Sequence, residues 1–378
     1  MNESLFGKRV AALRRTLTGS LQGGADTAWI IQPENRRYLS GFKAGDCQLN
    51  ESSGSLLIHQ TRSVLVTDSR YTLEARNEAP DFEIHAVAQG VVESSPGLLV
   101  EMGTANLGFE EDHLTWGLHR QLTKKLEALS PPVRLVPLNG VVEEMREVKE
   151  AQEIEILEKS AEAISSILDE VILGLKPGVT EREVAWQIEG LARECGAESV
   201  AFPPIVASGP HSALPHAVPT DRALRSKEPI LIDIGVRLDG YCSDITRTVF
   251  LGGAEKDFRK IYRTVREAQL AAIREIRPGV ESTHPDAVAR QIISEAGFGE
   301  CFGHGLGHGV GLATHERPRL GPQKPARLKK GMVVTVEPGI YVPGKGGVRL
   351  EEMVVIEDAG SRILTKNANF YDFNSLQA

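Results

Sequence analysis

The stretch Pro229–Thr248, PILIDIGVRLDGYCSDITRT, decides how this chain is read. Two apolar runs, Ile230–Ile234 and the segment from Ile245, flank the dipeptide Asp239-Gly240. Asp-Gly in that setting marks a two-residue hairpin turn, because both positions tolerate positive φ. The stretch therefore reads as two strands, Pro229–Leu238 and Tyr241–Leu251, folded back on each other. Asp233 interrupts the first run and Asp244 follows 11 residues on, beyond the turn. Antiparallel pairing brings them near one another, where two carboxylates repel unless a cation sits between them. Each aspartate taken alone also fits a strand end or a helix N-cap.

Three further segments carry polar residues where a plain strand would not. In Phe302–Glu316, FGHGLGHGVGLATHE, five glycines are a poor choice for an element interior, so the backbone is making room for something. His304, His308 and His315 fall within twelve residues of it, three of the ten histidines in the chain. Such a cluster points to metal or proton-transfer chemistry. In Met332–Tyr341, MVVTVEPGIY, Glu337 ends an apolar strand just before Pro338-Gly339. In Gly347–Val355, GVRLEEMVV, Glu351 lies inside an apolar strand near Arg349. Carboxylates there are expensive to bury alone, and an Arg349–Glu351 pair with a solvated Glu337 is the plain structural alternative. Together, four carboxylates and one imidazole supply about four negative charges, enough for two divalent cations. An oxygen-rich set with one nitrogen suits Mn²⁺, Co²⁺ or Fe²⁺ better than a thiolate zinc site. Two such ions, about 3.5–4 Å apart, are the equipment of a metal-assisted hydrolase.

The rest of the chain frames this site. Its 378 residues suffice for two domains, and 41% hydrophobic with 25% charged residues is ordinary globular composition. A net charge of −8 gives no footprint for nucleic-acid binding. No apolar run reaches the ~18–20 residues that span a bilayer. The N-terminus reads as an amphipathic helix with Leu5, Val10, Leu13 and Leu17 inward rather than as a secretory signal. Cys47, Cys195, Cys242 and Cys301 form no CxxC pair, so neither a thiolate metal site nor a disulfide framework is expected, and the expected compartment is the cytoplasm.

Up to about Leu138, β-rich runs (Thr27–Gln32, Ser55–His59, Ser63–Thr67, Glu83–Val87, Asn106–Phe109, Val133–Pro137) alternate with helical patterns at Tyr71–Glu78, Val92–Gly103 and His113–Leu129. That alternation predicts an α/β layer. Beyond it, helices are expected at Val148–Leu173, from a capping box at Thr180 through Cys195, and at Glu255–Ile276 and Pro285–Ala296, with strands around Val334, Val348 and Val354. The expected domains are 1–139, α/β, and 140–378, α+β.

Asp233, Asp244, His308, Glu337 and Glu351, in this order and spacing, resemble the five metal ligands of the pita-bread metallopeptidases: methionine aminopeptidases, aminopeptidase P and prolidase, with metal-free creatinase as a relative. SGPHSALPHA (Ser208–Ala217), LIDIG, SDITRT, GHGLGHGVG, THE, TVEPGIY and VRLEE are similar to segments of that family. The first half, with ENRRYLSGF (Glu34–Phe42) and TDSRYTLEAR (Thr67–Arg76), resembles the creatinase-type N-terminal domain. The resemblance implies a creatinase-type domain followed by a pita-bread catalytic domain, two divalent metal ions with Mn²⁺ placed first and Co²⁺, Fe²⁺ or Zn²⁺ as alternatives, and a homodimer acting on proline-containing peptides. It further implies that Asp244 and Glu351 bridge the ions, that Asp233 holds one and His308 with Glu337 the other, and that Glu337 is the general base. His216, His315 and His304 match substrate-side histidines, and Tyr341 and Arg349 supporting residues. Arg319, four residues after His315, matches the prolidase arginine proposed to hold a dipeptide's carboxylate, with Arg317 a second candidate. The reading placed first is aminopeptidase P-like removal of the residue before proline, followed closely by an Xaa-Pro dipeptidase and distantly by a non-catalytic binding module. Leu350, Glu352 and His211 depart from the usual family pattern.

Overall fold

The computed structural model describes residues 4–19, 24–46, 52–88 and 91–365; Cys47 and residues 366–378 lie outside these. Contacts divide the chain into two compact units, Met1–Met145 and Arg146–Ala378. The division falls a few residues past the expected 139/140 because the start of the helix Val141–Glu147 is tied to the first unit. Asn35 donates to Glu143 (2.7 Å) and Tyr38 Oη to the Met145 carbonyl (3.2 Å).

The first unit is an α/β layer. Strands β1 (Thr27–Ile30), β2 (Ser55–His59), β3 (Ser63–Thr67), β4 (Glu83–Ala86), β5 (Asn106–Phe109) and β6 (Arg134–Pro137) form one sheet in the order β4-β3-β2-β1-β5-β6. β1 runs antiparallel to β2 and parallel to β5. Val10, Leu13 and Leu17 of the helix Leu5–Gly19 are buried as their spacing predicts. Within ENRRYLSGF, the helix Pro33–Ser40 ends at Gly41, whose φ of 83° is the left-handed cap that glycine favours. Arg36 is fully buried there, paired with Asp46 at 2.9 Å and donating to the carbonyls of Ala44 and Gly54.

The second unit is α+β. Its strands are β7 (Ser199–Val200), β8 (Ile205–Ser208), β9 (Pro229–Ile234), β10 (Val236–Leu238), β11 (Tyr241–Cys242), β12 (Ile245–Phe250), β13 (Gly307–Gly309), β14 (Glu316–Leu320), β15 (Val333–Val336), β16 (Gly339–Val342), β17 (Gly346–Arg349), β18 (Glu352–Glu357) and β19 (Gly360–Ile363). Helices Ala151–Gly174 and Glu181–Glu194 pack on β9 and β12 in one apolar cluster. Helices Lys256–Glu275 and Thr283–Glu295 pack on β15 and β18 in another. The first of these helices begins at Ala151 rather than Val148, because Glu150 and Glu153 form a reciprocal capping box.

The two strands read from Pro229–Thr248 are each broken once. Pairing runs from Leu238↔Tyr241 at the Asp239-Gly240 turn to Pro229↔Phe250 without change of register, but Gly235 and Ser243-Asp244 drop out of the ladder. Asp233 lies opposite Thr246, which makes Asp244 its diagonal neighbour on the same face. Gly235 permits this close passage, since a Cβ there would stand 2.3 Å from the Ser243 carbonyl oxygen. Glu316–Leu320, where no strand was expected, is strand β14 paired with β13. Gly235→Ala is expected to force these strands apart and to lower unfolding free energy by about 1–3 kcal/mol, as overpacking does. Urea denaturation checks it, and wild-type stability would mean that the strands leave room for a methyl group at this crossing.

Candidate metal centre

The strand ends of the second unit converge on one acidic cluster. Asp233 comes from β9, Asp244 from the break before β12, His308 from β13, Glu337 from the end of β15 and Glu351 from the junction of β17 and β18. A hydrogen bond from the Glu351 amide to the Thr246 carbonyl (3.0 Å) ties the last junction to β12. Asp244, His308 and Glu351 each place one donor atom within 4.8 Å of the others. Glu337 joins through His308, with Oε1 3.3 Å from Nε2, and Asp244 Oδ2 lies 3.7 Å from the same nitrogen. Asp233, the cross-strand partner of Thr246, is held by Arg349 at 2.5 Å. The pairing of Arg349 with Glu351 that the sequence alone allows is not formed; the guanidinium goes to Asp233 instead.

These carboxyls sit at 8%, 4% and 1% exposure for Asp233, Asp244 and Glu351. Burial, then the charges of Glu351 and Asp233, pushes Asp244 well above its ordinary range. Burial, then Glu337 and Asp233, does the same to Glu351. Asp233 is raised by burial, against the pull of Arg349. Glu337 differs: burial would raise it, but the hydrogen bond and charge of His308 hold it at about 2. Burial likewise disfavours charge on His308, and Glu337 overrides this and raises it.

The donors fit a hard cation. Asp233 Oδ1 is buried with no hydrogen-bond partner, an acceptor left over after Arg349 has taken Oδ2. His308 Nδ1 lies 3.0 Å from the Gly309 carbonyl, which holds a proton there, so Nε2, facing the carboxylates, is the nitrogen that would give up its proton to a cation. Thr246 donates to Glu351 Oε2 at 2.7 Å and Thr335 to Glu337 Oε1 at 3.3 Å, orienting two more candidate ligands. Neither threonine stood out in the sequence. Strand periodicity could have found both, since Thr335 shares a face with Glu337 two residues on, and Thr246 is the cross-strand partner of Asp233.

Around the cluster, the His315 ring meets the His308 ring edge-on, with centroids 4.2 Å apart. Burial and then the charge of His308 drive His315 down to about 4, so it is neutral at physiological pH. Tyr341 accepts from Arg349 at 2.8 Å, and burial pushes its hydroxyl up to about 12. His304 Nε2 lies 3.0 Å from Tyr341 Oη and its Nδ1 2.8 Å from the Gly305 carbonyl, so both ring nitrogens are engaged within the protein. His216 is exposed, on a turn anchored by Arg349 donating to the Pro215 carbonyl. Arg319 is the cross-strand partner of His308 and shares its face of the sheet, whereas Arg317 falls in the irregular stretch between the Arg319 and Glu316 pairings. Two departures from the family pattern have partners of their own. Glu352 turns away to Arg247 (3.0 Å), and His211 bonds the buried Glu181 (2.9 Å).

Known proteins resemble this chain over most of its length. The profile of metallopeptidase family M24 matches residues 155–358, and that of the creatinase/prolidase N-terminal domain residues 9–148. The uncharacterized peptidase YqhT of Bacillus subtilis is 37% identical over 93% of this chain and 96% of its own. The solved Xaa-Pro dipeptidase from Bacillus anthracis is 35% identical with a TM-score of 0.89, covering 96% of this chain and 98% of its own. The X-Pro aminopeptidase from Thermotoga maritima is also 35% identical, with a TM-score of 0.82 over 92% of this chain and 97% of its own. The chain belongs to metallopeptidase family M24, with a creatinase/prolidase-type N-terminal domain ahead of a pita-bread catalytic domain.

Proposed function

We propose that this metallopeptidase hydrolyses Xaa-Pro bonds and prefers dipeptides. The observation that carries the preference is the register of β13 and β14, which sets Arg319 beside His308 and so offers a guanidinium to a substrate carboxylate next to the cluster. The names of the Bacillus anthracis and Pyrococcus horikoshii relatives, an Xaa-Pro dipeptidase and a prolidase, support the same reading. This reverses the order that the sequence alone favoured. Aminopeptidase action remains the second reading, because Arg319 is exposed and does not by itself close the site to longer peptides.

In this reading Asp233, Asp244, His308, Glu337 and Glu351 hold two divalent ions, Mn²⁺ first among them. When bound, the ions polarise the scissile carbonyl and acidify the attacking water. Glu337, ionised down to about pH 2, accepts that water's proton. His315, neutral and packed on His308, donates to the carbonyl oxygen as it gains charge. His216 assists at the proline nitrogen. Tyr341 and Arg349 hold Asp233 in place, and His304 supports Tyr341 rather than meeting substrate through a ring nitrogen. We place the enzyme as a cytoplasmic homodimer; free Cys195 and Cys301 suit a reducing compartment. No described helix is long and apolar enough to cross a membrane.

The Mn²⁺-loaded protein is expected to release alanine from Ala-Pro and to cut Ala-Pro-Ala poorly. Arg319→Gln should lower kcat/KM on Ala-Pro at least about tenfold, as loss of a charge pair does, with little effect on the tripeptide. Equal cleavage of both peptides, unchanged by Arg319→Gln, would return the assignment to an aminopeptidase. A second expectation concerns protons. Burial and the neighbouring carboxylates raise Asp244 and Glu351 well above ordinary carboxyls, so protons and a cation compete for them. Metal loading near neutral pH should therefore release protons into a weakly buffered indicator solution, and affinity should climb as pH rises. Loading without proton release would mean that the apo cluster is already ionised.

A further inference from the structure

Helix Thr283–Glu295 takes no direct part in the cluster, yet two of its residues grip the glycine-rich loop that carries His304. Asp286 and Arg290, one turn apart, form a forked pair, with Arg290 Nη2 2.9 Å and Nε 3.1 Å from the two carboxylate oxygens. Asp286 is almost fully buried, and its Oδ1 also accepts the Leu306 amide at 3.0 Å. Arg290 donates to the carbonyls of Phe302 and His304, each at 2.8 Å. Its guanidinium lies 4.4 Å from the Phe302 ring centroid, and that ring meets the His304 imidazole edge-on at 5.0 Å. The loop from Phe302 to Leu306 is thus fastened at both ends and in its middle by one pair of side chains.

What this fastening fixes is the orientation and tautomer of His304. Burial pushes the His304 ring below its ordinary value, so it is neutral with a single N–H. The Gly305 carbonyl beside Nδ1 can only accept, which puts the proton on Nδ1 and leaves Nε2 to accept from Tyr341 Oη. Tyr341 Oη in turn accepts from Arg349, and Arg349 pairs Asp233. A continuous chain of hydrogen bonds therefore runs from the helix through His304, Tyr341 and Arg349 to a candidate metal ligand.

We infer that Asp286 and Arg290 are positioning residues for this site, acting through His304. Only the kinetic part of the test rests on the Xaa-Pro reading. In metal-free protein labelled with ¹⁵N-histidine, the signal that vanishes in His304→Gln should be that of a neutral Nδ1–H tautomer. Arg290→Lys keeps the charge but cannot make the forked bonds, and Asp286→Asn breaks the pair from the other side. Each should shift that signal toward a mixture of tautomers while the melting temperature stays near wild type. On Ala-Pro, Arg290→Lys should lower kcat about tenfold with KM little changed, the scale expected for small misplacement, and the loss should disappear in a His304→Gln background. An unchanged His304 signal in both variants, or an equal loss of kcat in both backgrounds, would overturn the inference. Unfolding of both variants would overturn it too, by making the pair a stability element. If the wild-type enzyme cuts no proline peptide, the proposed function fails and the tautomer measurement still decides this one.

Discussion

The catalytic unit is organised around mutual repulsion. Asp233, Asp244, Glu337 and Glu351 are brought from four separate strand ends into a volume with little water, where like charges cost several kcal/mol each unless they are compensated. Two cationic groups answer part of this, Arg349 for Asp233 and His308 for Glu337. Asp244 has only the more distant His308 nitrogen, at 3.7 Å, and Glu351 has no cationic partner among the described residues; burial and the neighbouring carboxylates raise both, so the cluster favours protons or a cation. The architecture therefore makes sense as one assembled to hold positive charge. The supporting residues, Thr246, Thr335, Arg349 and Tyr341, are those that aim the acceptors.

That assembly depends on backbone as much as on side chains. Asp233 and Asp244 share a face because the register set at Asp239-Gly240 carries through two breaks in the ladder. Gly307 and Gly309 allow β13 to lie so close to its neighbours that a Cβ would stand 2.1 Å from the Thr335 carbonyl oxygen and 2.2 Å from that of Arg317. His308 is carried between these two glycines, so the same crowding that demands glycine also fixes the imidazole. The buried Glu316, next to His315, is clamped by Arg146 and Lys149, and burial is outweighed there by two cations that hold its carboxyl below the ordinary range. A rigid frame of this kind lets a neutral histidine and an ionised glutamate keep their places beside a highly charged centre.

Much of this was legible in the sequence, and for physical reasons. The hairpin was readable because Asp-Gly is a local signal and strand pairing propagates it. The four carboxylates stood out because charged residues in or at the ends of apolar strands are costly and so need an explanation, whereas His308 was one of three histidines in a glycine-rich frame and was singled out by the family resemblance. Other features were not local. Nothing in THERPRL marks a strand, because β14 exists by pairing with the glycine-rich β13 rather than by its own propensity. Arg349 could not be assigned to Asp233 over Glu351 from spacing, since the choice depends on how β17 meets β9. The engagement of both His304 nitrogens also lies beyond sequence reasoning, which sees a histidine among glycines but not the carbonyl and the hydroxyl that flank it.

The central claim, that the acidic cluster is a seat for a pair of divalent cations, is tested most directly by counting them. Metal-free protein titrated with Mn²⁺ and followed by electron paramagnetic resonance is expected to take up two ions per chain and to give the spectrum of an interacting pair, with uptake lost in Glu351→Gln. Uptake of no ion, or of isolated ions unaffected by Glu351→Gln, would contradict the account.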